Sequence, residues 1–297
     1  MTLRGRDYLS IDDLTPEELR LVLEFARELK LRMLVGDRPP LLAGKTLAMV
    51  FEKPSLRTRV SFEVGMSQLG GTAVYLGVQD IQIGVRESVA DTARNLDRMT
   101  DGIMARTFAH ATVTGLAAAA RCPVINGLSD LEHPCQGLGD LMTIGERFPH
   151  IEGVRLAWAG DANNVLHSLL LGAAKLGMKI VAATPRGYAP AERIVARAKE
   201  IATATGATVT LVTDPQEAVA GADVVYTDVW ASMGQEGERE ERARIFRPYQ
   251  VNAALLARAR PTAVVMHCLP AHRGEEITDD VLDGPQSIVY DQAENRL

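Results

Sequence analysis

The sequence predicts an α/β protein made of two doubly wound parallel-sheet domains in tandem, and three observations carry that expectation. Short apolar runs rich in β-branched residues alternate along the chain with amphipathic stretches of helix length, the pattern of a parallel sheet crossed by helices. The 297 residues, 46% of them hydrophobic, suffice for two cores at the usual ~150 residues per domain. A polar break, Pro149 to Gly153, follows a long helical pattern and precedes a fresh apolar run, so the domains are expected to be 1–150 and 151–297.

An opening helix is expected from about Leu14 to Leu34, started by Thr15-Pro16 with acids in its first turn. Strands follow at Thr46 to Phe51, Thr72 to Gly77, Gly102 to Arg106 and Pro123 to Asn126. Between them, a helix starts near Ser55 with Val60, Val64 and Leu69 on its apolar side, and Glu87 to Thr100 puts Val89, Ala93, Leu96 and Met99 on one face. Alanine-rich Ala111 to Arg121 and the long stretch His133 to Phe148 also read as helices.

In the second half, strands are expected at Val154 to Ala159, Lys179 to Thr184, Thr208 to Val212, Val224 to Val229 and Ala263 to Cys268. Helices at Val165 to Leu176, Ala191 to Ala204 and Gln216 to Ala220 link them. Charged, Gly-containing Gly234 to Arg244 lacks a clean period and reads as a mobile loop, with a solvated helix face as the alternative.

A formal charge of -6 argues against tracking nucleic-acid phosphates, so any anion must meet a local arrangement of bases. No window approaches the ~18 apolar residues of a membrane helix, which argues against a membrane protein. Cys122, Cys135 and Cys268 are odd in number and far apart, no Cys/His cluster has zinc spacing, and no signal core opens the chain; cytoplasm is the expected compartment.

Three strand ends in the first half carry polar residues suited to a small phosphate compound. Ser55, Arg57 and Thr58 lie where a helix begins, so free N–H groups, hydroxyls and a guanidinium converge on one anion site. Alone, S-x-R-T-R would equally be a Ser N-cap followed by surface arginines. Arg106 ends a neighbouring strand, and His133-Pro134-Cys135-Gln136 sits at another strand-to-helix junction, where ligands of α/β proteins gather. A His before a helical Pro also fits a plain capping role.

In the second half, G-D-A-N-N-V lacks the glycine fingerprint of a dinucleotide site, and Asn163 and Asn164 put amides where those glycines would lie. An NAD-dependent dehydrogenase is disfavoured on that ground. Asp228, in D-V-W-A-S-M-G, and Cys268, in H-C-L-P, end adjacent strands; with an amide they suit a zwitterion bearing a second amine. Buried Cys268 is alternatively a small core hydrophobe.

Together F-E-K-P-S-L-R-T-R, Gln82 in I-Q-I-G, Arg106, H-P-C-Q, G-D-A-N-N-V, D-V-W-A-S-M-G, H-C-L-P-A-H-R-G-E-E and the closing A-E-N-R resemble the ornithine carbamoyltransferases, collinearly from about residue 45 onward. The resemblance implies transfer of the carbamoyl group of carbamoyl phosphate to the δ-amine of L-ornithine, giving L-citrulline and phosphate. It implies no metal and no organic cofactor, an active site in the interdomain cleft, and a homotrimer or an assembly of trimers.

Carried over by position, Ser55, Leu56, Arg57, Thr58, Gln82, Arg106, His133, Pro134, Cys135, Gln136, Cys268, Leu269 and Arg296 would bind carbamoyl phosphate, Gln82 in a neighbouring subunit's site. Asn164, Asp228, Ser232 and Met233 would hold ornithine, and Arg106, His133, Asp228 and Cys268 would act in catalysis. The last residues would cross back toward the first domain. Leu56 stands where many relatives have Thr, which removes a hydroxyl but keeps the backbone N–H. Rival readings are transfer to putrescine, acetylornithine or aspartate, and a non-catalytic module that binds carbamoyl phosphate.

Overall fold

A computed structural model of the chain describes residues 3–231 and 236–297. Contacts divide it into two compact units, Met1–Leu138 with Arg296–Leu297, and Gly139–Asn295.

Unit 1 opens with α1 (Pro16–Leu34). Thr15 and Glu18 form its capping box, each side chain accepting the other's backbone N–H, and Pro16 needs no partner in the first turn. There follow β1 (Thr46–Phe51), α2 (Leu56–Gln68), β2 (Thr72–Leu76), α3 (Val78–Ile81), α4 (Val89–Met99), β3 (Gly102–Arg106), α5 (His110–Ala119), β4 (Val124–Leu128) and α6 (Pro134–Arg147). The four strands pair in parallel in the order β2-β1-β3-β4, so the chain reverses its direction of winding between β1 and β3. Ala48, Val50, Ile103, Ala105 and Val124 build the core on one face and Leu47, Met49, Phe51 and Met104 on the other, as alternation along buried strands requires.

Unit 2 takes the rest of α6, then β5 (Arg155–Ala159), α7 (Asn164–Lys175), β6 (Lys179–Ala183), α8 (Glu192–Thr205), β7 (Thr208–Val212), α9 (Pro215–Val219) and β8 (Val224–Thr227). It ends with α10 (Arg239–Phe246), α11 (Ala253–Leu256), β9 (Val264–His267), α12 (Asp279–Leu282) and α13 (Val289–Glu294). Its parallel sheet runs β7-β6-β5-β8-β9, reversing between β5 and β8. Residues 165–175 of α7 are all buried, which explains why that stretch is mostly apolar, His167, Ser168 and Lys175 being its polar members.

The contact division falls inside α6, after Leu138. The structure departs from the sequence reading at three places. On α2, Val60 is 47% exposed while Thr58 and Met66 are buried, so the expected apolar side is not the buried one. Met99 is 71% exposed at the last position of α4, past the turn that buries Ala93. Most of Gly234 to Arg244 is helix where it is described, with a 3-10 turn at Glu236–Glu238 leading into α10; positions 234–235 lie outside the described residues. There Arg242 is buried: it pairs with Asp161 at 2.5 Å, donates to the Trp230 carbonyl and stacks over Tyr188 and Phe246.

Candidate active site

In an open α/β sheet the loops on either side of the winding reversal splay apart at the carboxyl ends of the strands and leave room for a ligand. In unit 1 those loops follow β1 and β3. Ser55 is the N-cap of α2 and its hydroxyl accepts from the Thr58 N–H at 3.3 Å, while the helix start leaves the preceding N–H groups outside the intrahelical ladder. Thr58, buried, turns its own hydroxyl toward two guanidiniums: Arg106 Nη1 at 3.4 Å and Arg296 Nη2 at 3.5 Å. Arg296 Nη1 also donates to Gln136 Oε1 at 2.6 Å and lies 3.4 Å from His133 Nε2. The structure thus brings together Thr58, Arg106, His133, Gln136 and Arg296, with Arg57 close enough to act on the imidazole electrostatically.

The electrostatics follow from that crowding. Burial pushes the His133 imidazole well below its ordinary pKa, and Arg296, Arg106, Lys53 and Arg57 push it further, so the ring is neutral at pH 7. Lys53 is a member of this group that sequence reasoning missed. It is buried beneath the β1 loop with Nζ 4.8 Å from the centre of the Phe108 ring. Burial, then repulsion from Arg106, brings its ammonium down to about 8, against the pull of Asp130 and Glu52. Its place in the E-K-P-S-L-R run was the available signal, but a lysine there reads as surface until Phe108 is placed.

The other expected residues of this unit divide by what their side chains do. Leu56 is 73% exposed at the first position of α2, so its backbone is what it offers a ligand. The Cys135 thiol donates to the Asn126 carbonyl at 3.3 Å and burial raises it to about 11, so it holds the turn as an unionised thiol. Pro134 is held from behind, its carbonyl accepting from Tyr8 Oη at 3.4 Å; the preceding Glu132 carboxylate accepts from Ser10 Oγ and from the Ile11 N–H. Gln82 caps α3 in an exposed turn with φ +43°.

In unit 2 the reversal falls between β5 and β8. Gly160, at φ +144°, ends β5 in a conformation open to glycine alone and turns the chain toward α7. Asn163 is the N-cap of α7: its carbonyl accepts from the N–H groups of Val165 and Leu166, and its amide donates to Asp228 Oδ2 at 2.6 Å. Asn163 therefore orients the carboxylate, leaving Asn164 as the residue of the pair expected to meet a ligand. Asp161, two residues before Asn163, is raised to about 6 by burial despite the pull of Arg242.

Asp228, just beyond β8, and Cys268, just beyond β9, come together with His267: a carboxylate oxygen, a thiol and a ring nitrogen lie within 4.8 Å of one another. That is a metal-type donor set. However, His267 Nδ1 accepts from the Leu269 N–H at 2.9 Å and Nε2 contacts Glu276 Oε1 at 3.0 Å, so both ring nitrogens are engaged inside the protein. Asp228, whose carboxylate accepts from the Asn163 amide at 2.6 Å and from the Val229 N–H at 2.8 Å, and Cys268 are the members of this cluster expected to meet a ligand. Leu269 adopts φ +58°; among the described residues, it and Gln82 are the non-glycine residues at positive φ, and both were expected at the site. Ser232 and Met233 lie outside the described residues.

Comparison with known proteins agrees along the whole chain. Residues 6–146 match the carbamoyl-P binding domain of the aspartate/ornithine carbamoyltransferases, and residues 152–297 match their Asp/Orn binding domain. The chain is 56% identical, over all of its length and 94% of the relative's, to an ornithine carbamoyltransferase of Pyrococcus abyssi. It is 55% identical, with the same coverage, to the anabolic ornithine carbamoyltransferase of Pyrococcus furiosus. The solved ornithine carbamoyltransferase of Pyrococcus furiosus superposes with a TM-score of 0.98 at 55% identity, covering 100% of this chain and 95% of that one. The anabolic enzyme of Campylobacter jejuni gives 0.93 at 38% identity, covering 98% of this chain and 95% of that one.

Proposed function

The chain belongs to the aspartate/ornithine carbamoyltransferase family, and from that premise we propose that it transfers the carbamoyl group of carbamoyl phosphate to the δ-amine of L-ornithine, giving L-citrulline and phosphate in arginine synthesis. The observation that carries the reading is the sorting of charge between the two strand-end sites. In unit 1, Lys53, Arg57, Arg106 and Arg296 surround a neutral imidazole, a setting for a doubly charged phosphate compound. In unit 2 a carboxylate stands beside a thiol, a setting for an amine. A dicarboxylate acceptor such as aspartate would meet Asp228 with repulsion.

Each requirement of the reaction has a candidate. The attacking nitrogen must be neutral; Asp228 and Cys268 would orient the δ-amine as its proton is released. As the C–N bond forms, Arg106, Thr58 and His133 would donate to the carbonyl oxygen that takes up negative charge, about 3 to 4 kcal/mol for each well-placed donor. Collapse of the tetrahedral intermediate breaks the bond from carbon to the phosphate oxygen. Arg57 and the start of α2 would stabilise the departing phosphate, which accepts the amine's proton. Gln136 and Arg296 would complete the cage, with the backbone of Leu56, Pro134 and Cys135 shaping it, and Leu269 would line the carbamoyl group. Asn164, Ser232 and Met233 would hold the α-amino and carboxylate end of ornithine.

The exposed turn bearing Gln82 fits a residue that completes the site of a second copy, and we assign the protein a homotrimer, alone or further assembled. No helix among the described residues is long and apolar enough to cross a membrane. The cysteines are free, which suits the cytoplasm. A colorimetric citrulline assay with ornithine, putrescine, acetylornithine and aspartate as competing acceptors tests the reading. Citrulline from ornithine is the expected product; preferential carbamoylation of another acceptor, or carbamoyl phosphate binding without turnover, would overturn it.

A further inference from the structure

The loop that follows β9 carries Cys268 and Leu269, yet its shape is set by buried groups behind them in the chain's own packing. His267, the last residue of β9, and Glu276 both have 0% of their side chains exposed. The His267 imidazole accepts from the Leu269 N–H through Nδ1 at 2.9 Å, so its proton resides on Nε2, which donates to Glu276 Oε1 at 3.0 Å. The same carboxylate oxygen accepts from the His272 N–H at 2.6 Å. One rigid ring and one carboxylate therefore tie the entry of the loop, at Leu269, to its exit, at His272. The entry is fixed from the other side as well, where the His267 N–H donates to Gln292 Oε1 at 2.9 Å; Gln292 Nε2 in turn donates to Asp140 at 2.7 Å.

Leu269 sits at φ +58°, a conformation that a leucine keeps only when its surroundings over-determine it. The N–H of that residue is the one the imidazole holds. Reversing the turn would free Leu269, swing the Cys268 thiol and move it relative to Asp228. We infer that His267 is a positioning residue: through Nδ1 it locks Leu269 in its left-handed turn, so that the Cys268 thiol and the Leu269 backbone are presented to the acceptor amine, while Glu276 holds the ring in the required tautomer.

The inference rests on the reaction assigned under Proposed function, and wild-type protein separates the two. Absence of citrulline from wild type overturns that assignment; wild-type turnover together with the result below decides the clamp. The two amide replacements of histidine split its roles, because asparagine places an oxygen near Nδ1 and glutamine places a nitrogen near Nε2. His267→Gln keeps a donor toward Glu276 but loses the acceptor for Leu269. It is expected to lower kcat/KM for ornithine by about 10- to 100-fold, the cost of one hydrogen bond to a strained turn and its misplaced thiol. Carbamoyl phosphate affinity, measured by calorimetry, should shift by less than about threefold, since unit 1 holds the phosphate charge.

His267→Asn should recover most of that loss at a temperature well below its melting point, even though it gives up Glu276 and melts earlier. Equal kinetic losses in the two variants, or losses that follow melting temperature alone, would make His267 a structural core residue and overturn the proposal. If His267→Gln does not fold, Glu276→Ala and Glu276→Gln replace the pair. The alanine should lower ornithine kcat/KM by about tenfold and the glutamine, which keeps an acceptor for both donors, should restore it; equal kinetics in these two variants likewise overturns the clamp.

Discussion

Replacing Lys53 by methionine should weaken carbamoyl phosphate binding and at the same time leave the unliganded protein more stable. Lys53 is 8% exposed, its ammonium lies over the Phe108 ring, and Arg106 repels it, so in the free protein its charge is held at a cost. Methionine has a similar length and fills the same space without charge. A charge-assisted contact to phosphate contributes about 1.5 to 3 kcal/mol, so its loss should weaken binding by roughly 10- to 150-fold. Stability moves the other way. Because the folded ammonium titrates at about 8 against 10.5 for an ordinary lysine, the folded protein binds fewer protons than the unfolded chain between those values. The penalty is therefore complete below about pH 8 and fades as pH rises toward 10.5, and the variant should melt higher at pH 7 but lose that advantage at pH 10. Binding of the phosphate dianion should draw a proton back onto Lys53, so calorimetry near pH 8.5 in buffers of different ionisation enthalpy should show proton uptake in wild type and none in the variant. Unchanged affinity together with a lower melting temperature would refute the reasoning and make Lys53 a packing residue.

The remaining predictions probe the other expected residues. Arg57→Ala should abolish turnover mainly by loss of carbamoyl phosphate binding, since the guanidinium stands at the start of α2 beside two hydroxyls; near-normal citrulline formation at low carbamoyl phosphate would count against the cage. Subunits carrying Gln82→Ala mixed with subunits carrying Arg57→Ala should regain some activity, because a mixed interface can contain one intact site; a fully active monomer in sedimentation would sink this. Cys268→Ser should raise the KM for ornithine and lower kcat by about tenfold while carbamoyl phosphate affinity stays nearly unchanged. Unaltered ornithine kinetics with a lower melting temperature would instead mark Cys268 as a core residue.

What the sequence made legible is what local pattern encodes. The β1 and β3 strands and the cap at Ser55 follow from β-branched runs and a Ser before a helical period, and the structure places them at the expected residues. From those ends alone, convergence of Thr58 and Arg106 could be expected, because adjacent parallel strands present their carboxyl ends side by side. What stayed hidden depends on partners far apart in the chain. Arg242 reads as a surface charge until Asp161, Tyr188 and Phe246 enclose it, and that enclosure turns an aperiodic charged stretch into α10. Lys53 is concealed in the same way by Phe108 and Arg106. The ring hydrogen bonds of His267 join residues within nine positions of one another, yet nothing in H-C-L-P distinguishes a histidine that binds from one that holds its neighbours.

The two sheets place the residues expected to meet ligands at the same topological point but set opposite chemistry there, and the helix caps show how. At α2 the Ser55 hydroxyl takes one N–H, that of Thr58, so the helix start keeps its attraction for an anion and guanidiniums add to it. At α7 the Asn163 carbonyl takes two, those of Val165 and Leu166, and so consumes much of the anion-binding capacity of that helix start. Its amide then spends a further hydrogen bond on Asp228, which fixes a negative charge where a nucleotide fold would receive a phosphate. A missing glycine fingerprint alone would only weaken the case for a dinucleotide. A capped helix with a carboxylate held across its mouth repels one, and under the proposed reaction the same carboxylate would orient the δ-amine of the acceptor.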